Sequence, residues 1–185
     1  MKNATTICIY LFCLLMAGEL QAWTFYIDTD SRLRFKYINE ENGLTQNSAT
    51  SILQDKNGLL LFSTYEGLNF YDGYDIQSVR YSSDNPEGLF NNRITRMKAC
   101  ANGDIWLALD GGLAYYDIEY KRYINYTDSL GQLSSYKILS IELDRKENVW
   151  LGTEDELIVG IKKSDGSYDF SGMKGLITNS THALL

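Results

Sequence analysis

The stretch GLLLFSTYEGLNFYD, residues 58–72, decides the fold, because the chain contains it in three versions. It has the pattern of a short apolar strand, a polar turn and a second apolar strand. GDIWLALDGGLAYYD, residues 103–117, repeats this pattern, and NVWLGTEDELIVGI, residues 148–161, repeats it again. A unit that recurs at a fixed spacing indicates a repeat architecture, in which neighbouring units share a core that none could bury alone.

The repeat extends well beyond the quoted pair of strands. Residues 42–81 align without a gap on residues 87–126, at an offset of 45 residues, and a third copy follows at an offset of 44. Trp150 therefore matches Trp106, while Glu156 takes the place of a repeated turn glycine. The third copy has diverged, which repeat proteins tolerate because each unit contacts mainly its neighbours.

Each copy contains four strand-like runs separated by turn signals. In the first copy these runs are ATSILQD, LLLFST, LNFYD and IQSVRY, and the Asn57-Gly58 pair between the first two predicts a hairpin turn. Four antiparallel strands in about 45 residues form the blade of a β-propeller. We therefore predict an all-β fold, a partial β-propeller of about three four-stranded antiparallel blades plus the start of a fourth.

The beginning of the chain has the pattern of a secretory signal peptide. The apolar run ICIYLFCLLMA follows Lys2, and Leu20 and Ala22 suit a cleavage site before Trp23. We accordingly expect an exported, periplasmic protein whose mature chain has no membrane span. The predicted segments are a signal peptide, a lead-in strand, blades 1, 2 and 3, and an incomplete blade 4, at residues 1–22, 23–34, 35–81, 82–127, 128–170 and 171–185.

The repeated large apolar residues are predicted to form the core. Leu61, Trp106 and Trp150 occupy the same position in the second strand of successive copies, so we expect them to fill the space between blades. Removal of the signal peptide leaves Cys100 as the single cysteine, which excludes an intramolecular disulfide. We expect Cys100 to be a small buried hydrophobic residue in a strand rather than a reactive thiol.

These sequences resemble the two-component regulator propeller repeats. The resemblance rests on residues 43–73, on the connection SDNPEGLFNNRITRM at residues 83–97 and on residues 103–117, and it extends from about Phe35 onward. Such repeats build the periplasmic sensors of hybrid two-component systems in gut Bacteroidetes, whose sensors commonly bind oligosaccharides. The resemblance therefore implies a fragment of a glycan-responsive sensor, with its signalling output domains and remaining blades outside these 185 residues.

The composition and the motifs limit the alternatives. A net charge of −7 gives no electrostatic basis for binding nucleic acid. The one histidine, His182, has no partners for a catalytic triad, and no Cys/His cluster has metal-ligand spacing. We therefore predict no catalytic residue, no metal and no cofactor.

A ligand surface, if present, is expected on the turns between second and third strands. In a propeller these turns open on the same face as the connections between blades, and loops commonly carry function. The candidate ligand-binding residues are Tyr65, Glu66, Asp110, Glu154 and Asp155. Tyr65 would stack on a sugar, and the carboxylates would accept hydrogen bonds from hydroxyl groups; ordinary turn residues are the alternative.

Two other functions stay open at this point. One is a propeller carbohydrate-active enzyme, a lyase or glycosidase, which would need two convergent acid/base groups. The other is a structural module whose open faces associate with the remaining blades or with another copy of the chain. The partners considered are thus an oligosaccharide, further blades or a second copy.

Overall fold

The computed structural model describes residues 35–127 and 137–173. The regular secondary structure in these ranges consists of a 3₁₀ helix at Glu40–Asn42 and β-strands. None of the described residues belongs to a helix long and apolar enough to cross a membrane. The predicted signal peptide, the lead-in strand and residues 174–185 of the predicted fourth blade lie outside the described residues.

Twelve strands form three four-stranded antiparallel sheets, each in sequential order. The first sheet consists of β1 Ala49–Gln54, β2 Leu60–Thr64, β3 Gly67–Tyr71 and β4 Ile76–Val79. The second consists of β5 Ile94–Ala99, β6 Ile105–Leu109, β7 Gly112–Asp117 and β8 Arg122–Tyr126. The third consists of β9 Ile138–Leu143, β10 Val149–Thr153, β11 Leu157–Lys162 and β12 Tyr168–Met173. The predicted all-β class with three four-stranded blades is confirmed.

The last strand runs further than the sequence predicts. β12 pairs with β11 from Lys162 opposite Tyr168 to Leu157 opposite Met173. Residues 171–173 therefore belong to the third blade and not to a fourth, so the predicted boundary after residue 170 is three residues early. The pairing continues because β11 offers partners along its full length.

The first strands of the three sheets, β1, β5 and β9, lie side by side. Each of them has a register shift at the same repeat position, after its first residue or two, around Thr50, Thr95 and Leu139. Such a bulge bends a strand and increases its twist. At the first bulge the Thr50 hydroxyl donates to the Ile94 carbonyl at 2.8 Å, which links neighbouring inner strands.

Apolar side chains fill the two seams between the sheets. Because side chains alternate along a strand, every sheet presents one face to the preceding sheet and one to the following sheet. The seam between the first two sheets contains Leu61, Leu68, Leu89, Ile94, Met97, Ile105, Leu107, Leu109, Ala114 and Tyr116. The second seam contains Trp106, Ala108, Leu113, Ile138, Ile141, Val149, Leu151, Ile158 and Tyr168.

Trp106 is the largest fully buried side chain, with 0% of its surface exposed. Its ring lies edge-on to Tyr115 in its own sheet and to Tyr168 in the next, each with a centroid separation of 4.9 Å. Leu61 is equally buried. Trp150 is only partly buried, and its Nε1 donates to the Asp144 carboxylate at 3.3 Å. The predicted core position is therefore confirmed for Leu61 and Trp106, whereas Trp150 lies at the end of the described blades.

The turns between second and third strands are held by glycines and by threonine hydroxyl groups. Gly67 and Gly112 have φ values of 135° and 153°, and a Cβ atom on either would lie within 2.7 Å of a backbone carbonyl oxygen. The third turn is one residue longer and carries Glu156 instead. Here the Thr153 hydroxyl accepts from the Glu156 N–H at 2.9 Å and donates to the Glu156 carbonyl at 2.6 Å. The Thr64 hydroxyl closes the first turn similarly, since it donates to the Gly67 carbonyl at 3.2 Å.

Replacing Trp106 with alanine should lower the free energy of unfolding by about 3–5 kcal/mol, because it opens a cavity in a filled seam. Trp150→Ala should cost clearly less, about 1–2 kcal/mol, since part of that side chain is already exposed. Urea denaturation followed by far-UV circular dichroism measures both. Equal losses would contradict the difference in burial.

Replacing Gly112 with alanine should destabilise the fold by about 2 kcal/mol or more, because the new Cβ would combine a disfavoured φ with a clash against the Tyr126 carbonyl. Gly166 is the matched control. Its φ is 83°, but a Cβ there would meet nothing within 4 Å, so Gly166→Ala should cost only about 1 kcal/mol. Thermal or urea unfolding distinguishes the two, and equal losses would rule out the clash.

Candidate functional site

The predicted ligand-binding residues lie in the turns at one end of the three sheets, which we call the upper rim. Tyr65 and Glu66 form the β2–β3 turn, Asp110 belongs to the β6–β7 turn, and Glu154 and Asp155 belong to the β10–β11 turn. All five are exposed. Because strands alternate in direction, the inner strands β5 and β9 begin at this same end, which adds residues that the sequence pattern did not select.

Arg93, the residue before β5, brings two of the predicted residues together across a seam. Its guanidinium lies over the Tyr65 ring, with Cζ 4.3 Å from the centroid, and its Nε lies 3.0 Å from Asp110 Oδ2. The backbone supports this arrangement, since the Asp110 N–H donates to the Arg93 carbonyl at 3.0 Å. Asn91 adds a hydrogen bond from its side-chain amide to the Asp110 carbonyl at 2.9 Å.

A second ion pair repeats the first one blade further on. Lys137 precedes β9 as Arg93 precedes β5, and its Nζ lies 3.0 Å from Glu154 Oε1. Arg93 and Lys137 are equivalent in the repeat, as are Asp110 and Glu154, at the offset of 44 residues. In the first blade Ser48 stands at the basic position, so this pair begins with the second blade.

Glu66 and Asp155 make hydrogen bonds in the upper rim through their backbone groups. The Glu66 carbonyl accepts from Arg80 Nε at 3.2 Å, and the Asp155 N–H donates to the Thr153 hydroxyl at 3.3 Å. Both therefore contribute backbone groups to their turns. Within the described part of the chain, neither carboxylate joins the cluster of Tyr65, Arg93 and Asp110.

The upper rim offers exposed groups of several chemical types. Arg93 uses Nε for Asp110, and its two Nη nitrogens make no hydrogen bond to any described residue. A guanidinium donates in a planar fork, a carboxylate accepts, and a phenol does both. Ion pairs as exposed as these contribute little to the free energy of folding, about 0–1 kcal/mol each. A ligand that replaces one of these contacts therefore loses little free energy by breaking it.

The opposite end of the sheets, the lower turns, holds a different set of polar groups. The Tyr115 hydroxyl donates to Asp104 Oδ2 at 2.6 Å, and Asp104 Oδ1 accepts from the Ile118 N–H at 3.0 Å. Burial and the hydrogen bond to Asp104 raise the pKa of Tyr115 above its ordinary range. This network ties a turn to the end of a strand and so has a structural role.

Cys100 follows β5 directly instead of lying within a strand, and its thiol is free. Burial, followed by the nearby Glu147 and Asp104 carboxylates, raises the pKa of the Cys100 thiol to about 12. The reactive thiolate is therefore scarce at neutral pH. A cavity of about 130 Å³ beside Cys100, between the lower turns of the first two sheets, contains none of the candidate residues.

No group of three or more His, Cys, Asp and Glu side chains within residues 35–127 and 137–173 is arranged to hold a metal ion. His182, the single histidine, lies outside those ranges.

A family model described as the two component regulator propeller matches residues 43–66. Residues 43–66 are therefore similar to a two-component regulator propeller repeat. This match covers β1, β2 and the turn that carries Tyr65, which is the segment on which the predicted resemblance most depends. That resemblance is confirmed. No curated protein matches the sequence.

Solved structures share the blade architecture at low sequence identity. The extracellular domain of a putative hybrid two-component system from B. thetaiotaomicron aligns with a TM-score of 0.65 and 17% identity, over 81% of this chain and 19% of that one. Streptogramin B lyase aligns with a TM-score of 0.53 and 14% identity, over 72% and 44%. Virginiamycin B lyase from Staphylococcus aureus aligns with 0.51 and 15%, over 69% and 41%. The chain thus spans about a fifth of the hybrid-system domain, and these likenesses show a common fold.

The Cys100 thiol should react with a disulfide reagent such as DTNB at least about tenfold more slowly in the native protein than in urea, with Cys8 and Cys13 replaced by serine. Its folded pKa lies above the ordinary value of 9.0, so the native state keeps a proton that the unfolded chain releases. The contribution of the protonated Cys100 thiol to the free energy of unfolding is fully present below pH 9 and is lost as the pH rises toward 12. Equal labelling rates in the two states would contradict the assigned burial.

Proposed function

We propose that this chain is part of the ligand-sensing propeller of a hybrid two-component system, exported to the periplasm. The observation that carries the proposal is the two-component regulator propeller repeat at residues 43–66. The extracellular domain of the B. thetaiotaomicron hybrid system, which has the same blade architecture, supports it. The output domains of such a system would belong to sequence beyond these residues.

The proposed ligand is an oligosaccharide bound at the upper rim. A pyranose ring has an apolar face that suits an aromatic side chain and hydroxyl groups that suit carboxylates and guanidinium groups. Tyr65, Arg93 and Asp110 supply these three groups within one contact cluster. Lys137 and Glu154 extend the same polarity pattern to the third blade. In this proposal Tyr65 contacts the apolar face of the sugar and the free Arg93 Nη nitrogens donate to its hydroxyl groups.

A lyase is the second candidate function, since streptogramin B lyase shares the blade architecture. Sensing requires that the ligand be released unchanged, whereas a lyase would convert it. Analysis of the glycan recovered after binding therefore distinguishes the two functions.

Binding should be tested by isothermal titration calorimetry against a panel of plant and host oligosaccharides. For the ligand found, Tyr65→Ala and Arg93→Gln should each weaken binding at least about tenfold, as expected for a lost anchor of about 1.4 kcal/mol. Mass spectrometry of the recovered glycan should show no product.

Arg122→Gln is the matched control for this experiment. Arg122 lies over the Tyr120 ring at 5.2 Å and pairs with Asp117 at 3.2 Å, so it has the same surroundings as Arg93 but is located at the lower turns. Its replacement should leave binding unchanged. Failure of every glycan to bind, or equal losses in all three variants, would contradict the proposed site.

A further inference from the structure

The chain contains three Asn-Gly pairs, at residues 42–43, 57–58 and 102–103. Asparagine is a thermolabile residue, and it loses its side-chain amide most readily when glycine follows it. The reaction begins when the asparagine side chain rotates until its carbon Cγ meets the glycine amide nitrogen. Glycine has no Cβ to obstruct that approach. Since the three pairs are chemically alike, their surroundings in the fold decide which of them reacts.

The turns at Asn57 and Asn102 have the same backbone. Each connects the first and second strands of its sheet at the lower turns. In both turns the glycine N–H donates to the carbonyl three residues earlier, at 3.2 Å for Gly58 and 3.0 Å for Gly103. The two glycines have φ values of 89° and 98°, and both asparagines are exposed. Backbone conformation and exposure therefore do not distinguish the two sites.

The side chain of Asn102 is held at both ends of its amide group. Its Oδ1 accepts from the Asp104 N–H at 3.1 Å, and its Nδ2 donates to the Asp104 carboxylate. Asp104 is itself buried, and it is fixed by the Tyr115 hydroxyl, which donates to it at 2.6 Å. Rotation of the Asn102 side chain toward the nitrogen of Gly103 must therefore break two hydrogen bonds first.

Asn57 lacks this attachment, because a different residue closes the first turn. The Asp55 carboxylate accepts from the Asn57 N–H at 2.8 Å and from the Leu59 N–H at 2.7 Å. In the second blade Cys100 stands in place of Asp55, which leaves this role to Asn102. The Asn57 Oδ1 accepts no hydrogen bond from any residue that the structure describes. Its Nδ2 lies 3.4 Å from Asp55 Oδ2, which is too long for a strong hydrogen bond.

Asn42 is restrained in a third way. It is the last residue of the 3₁₀ helix, and its Oδ1 accepts from the Asn39 N–H at 3.1 Å. The Asn42 N–H donates to Asn39 Oδ1 at 3.2 Å in return. This reciprocal pair of hydrogen bonds holds the Asn42 side chain against the start of the helix, so it also resists rotation.

We propose that Asn57 is a site of spontaneous deamidation and that the fold protects Asn42 and Asn102. A base in the solvent takes the proton of the Gly58 nitrogen, which attacks Asn57 Cγ. The Cγ–Nδ2 bond then breaks, and the nitrogen takes a proton from the solvent and leaves as ammonia. Water opens the resulting cyclic imide at either carbonyl, which gives aspartate or isoaspartate. This inference does not depend on the proposed ligand.

Deamidation should weaken the first blade. Both products place a carboxylate beside that of Asp55, where the Asn57 amide now lies, and like charges at this distance repel each other. Isoaspartate also adds a carbon atom to the backbone of the turn that sets the pairing of β1 with β2. The modified chain should therefore unfold at a lower denaturant concentration than the fresh chain.

The test is peptide mapping by mass spectrometry of the complete chain during incubation at mildly alkaline pH. Native Asn57 should deamidate several-fold faster than Asn42 and at least about tenfold faster than Asn102, because hydrogen bonds must break at the two protected sites. In guanidinium chloride the three sites should react at similar rates. A native difference no larger than the difference in denaturant would overturn the proposal, and so would a native chain in which Asn57 does not react.

Asp104→Ala tests the cause of the protection. It removes the carboxylate that holds Asn102 Nδ2, so deamidation of Asn102 should become several-fold faster while the rate at Asn57 stays the same. Asp165→Ala is the matched control, since Asp165 closes another lower turn by accepting from the Ser167 N–H at 2.9 Å. Its replacement should change none of the rates. Far-UV circular dichroism verifies the fold of both variants, and an unchanged rate at Asn102 in folded Asp104→Ala would contradict the assigned protection.

Discussion

The fold depends on burial of both faces of each four-stranded sheet. A sheet of four short strands leaves two apolar faces, and a single blade can cover neither. The chain solves this by repeating the unit, so that Leu61 of the first sheet packs against the second sheet and Trp106 of the second sheet packs against the third. Sheet pairing, inner-strand bulges and turn closures all serve to hold successive faces at contact distance. The openness of Ile52 and Trp150 at the two ends is the direct counterpart of the filled seams between them.

The sequence alone predicted the sheets well, for a physical reason. Period-two alternation identifies strands, and Asn-Gly or glycine turns limit their ends, so β1 to β4 fall where the four runs of the first copy place them. The prediction was less accurate where the repeat has diverged. β12 continues to Met173, and Glu156 occupies the position of a turn glycine in a turn that the Thr153 hydroxyl closes.

The candidate site was predictable only in part. Blade topology placed Tyr65 and Asp110 on one rim, but their connection through Arg93 requires the distance between two turns in different blades. A signal did exist in the sequence: Arg93 and Lys137 recur immediately before an inner strand, at the offset that aligns Asp110 with Glu154. A search for repeated opposite charges, in addition to repeated apolar residues, would have identified the pairs. The sequence could not show that Glu66 and Asp155 contribute backbone hydrogen bonds to their turns and do not join the cluster, because both are exposed turn residues like the other candidates.

The contact of Arg93 with Tyr65 has a mechanical consequence. It joins the upper rim of one blade to the upper rim of its neighbour, and neither residue belongs to the apolar set that fills the seam between them. Any group that takes Arg93 away from Tyr65 removes this tie while the apolar core below it stays intact. The seam residues would stay packed, so any relative movement of the two blades would be largest at the freed rim.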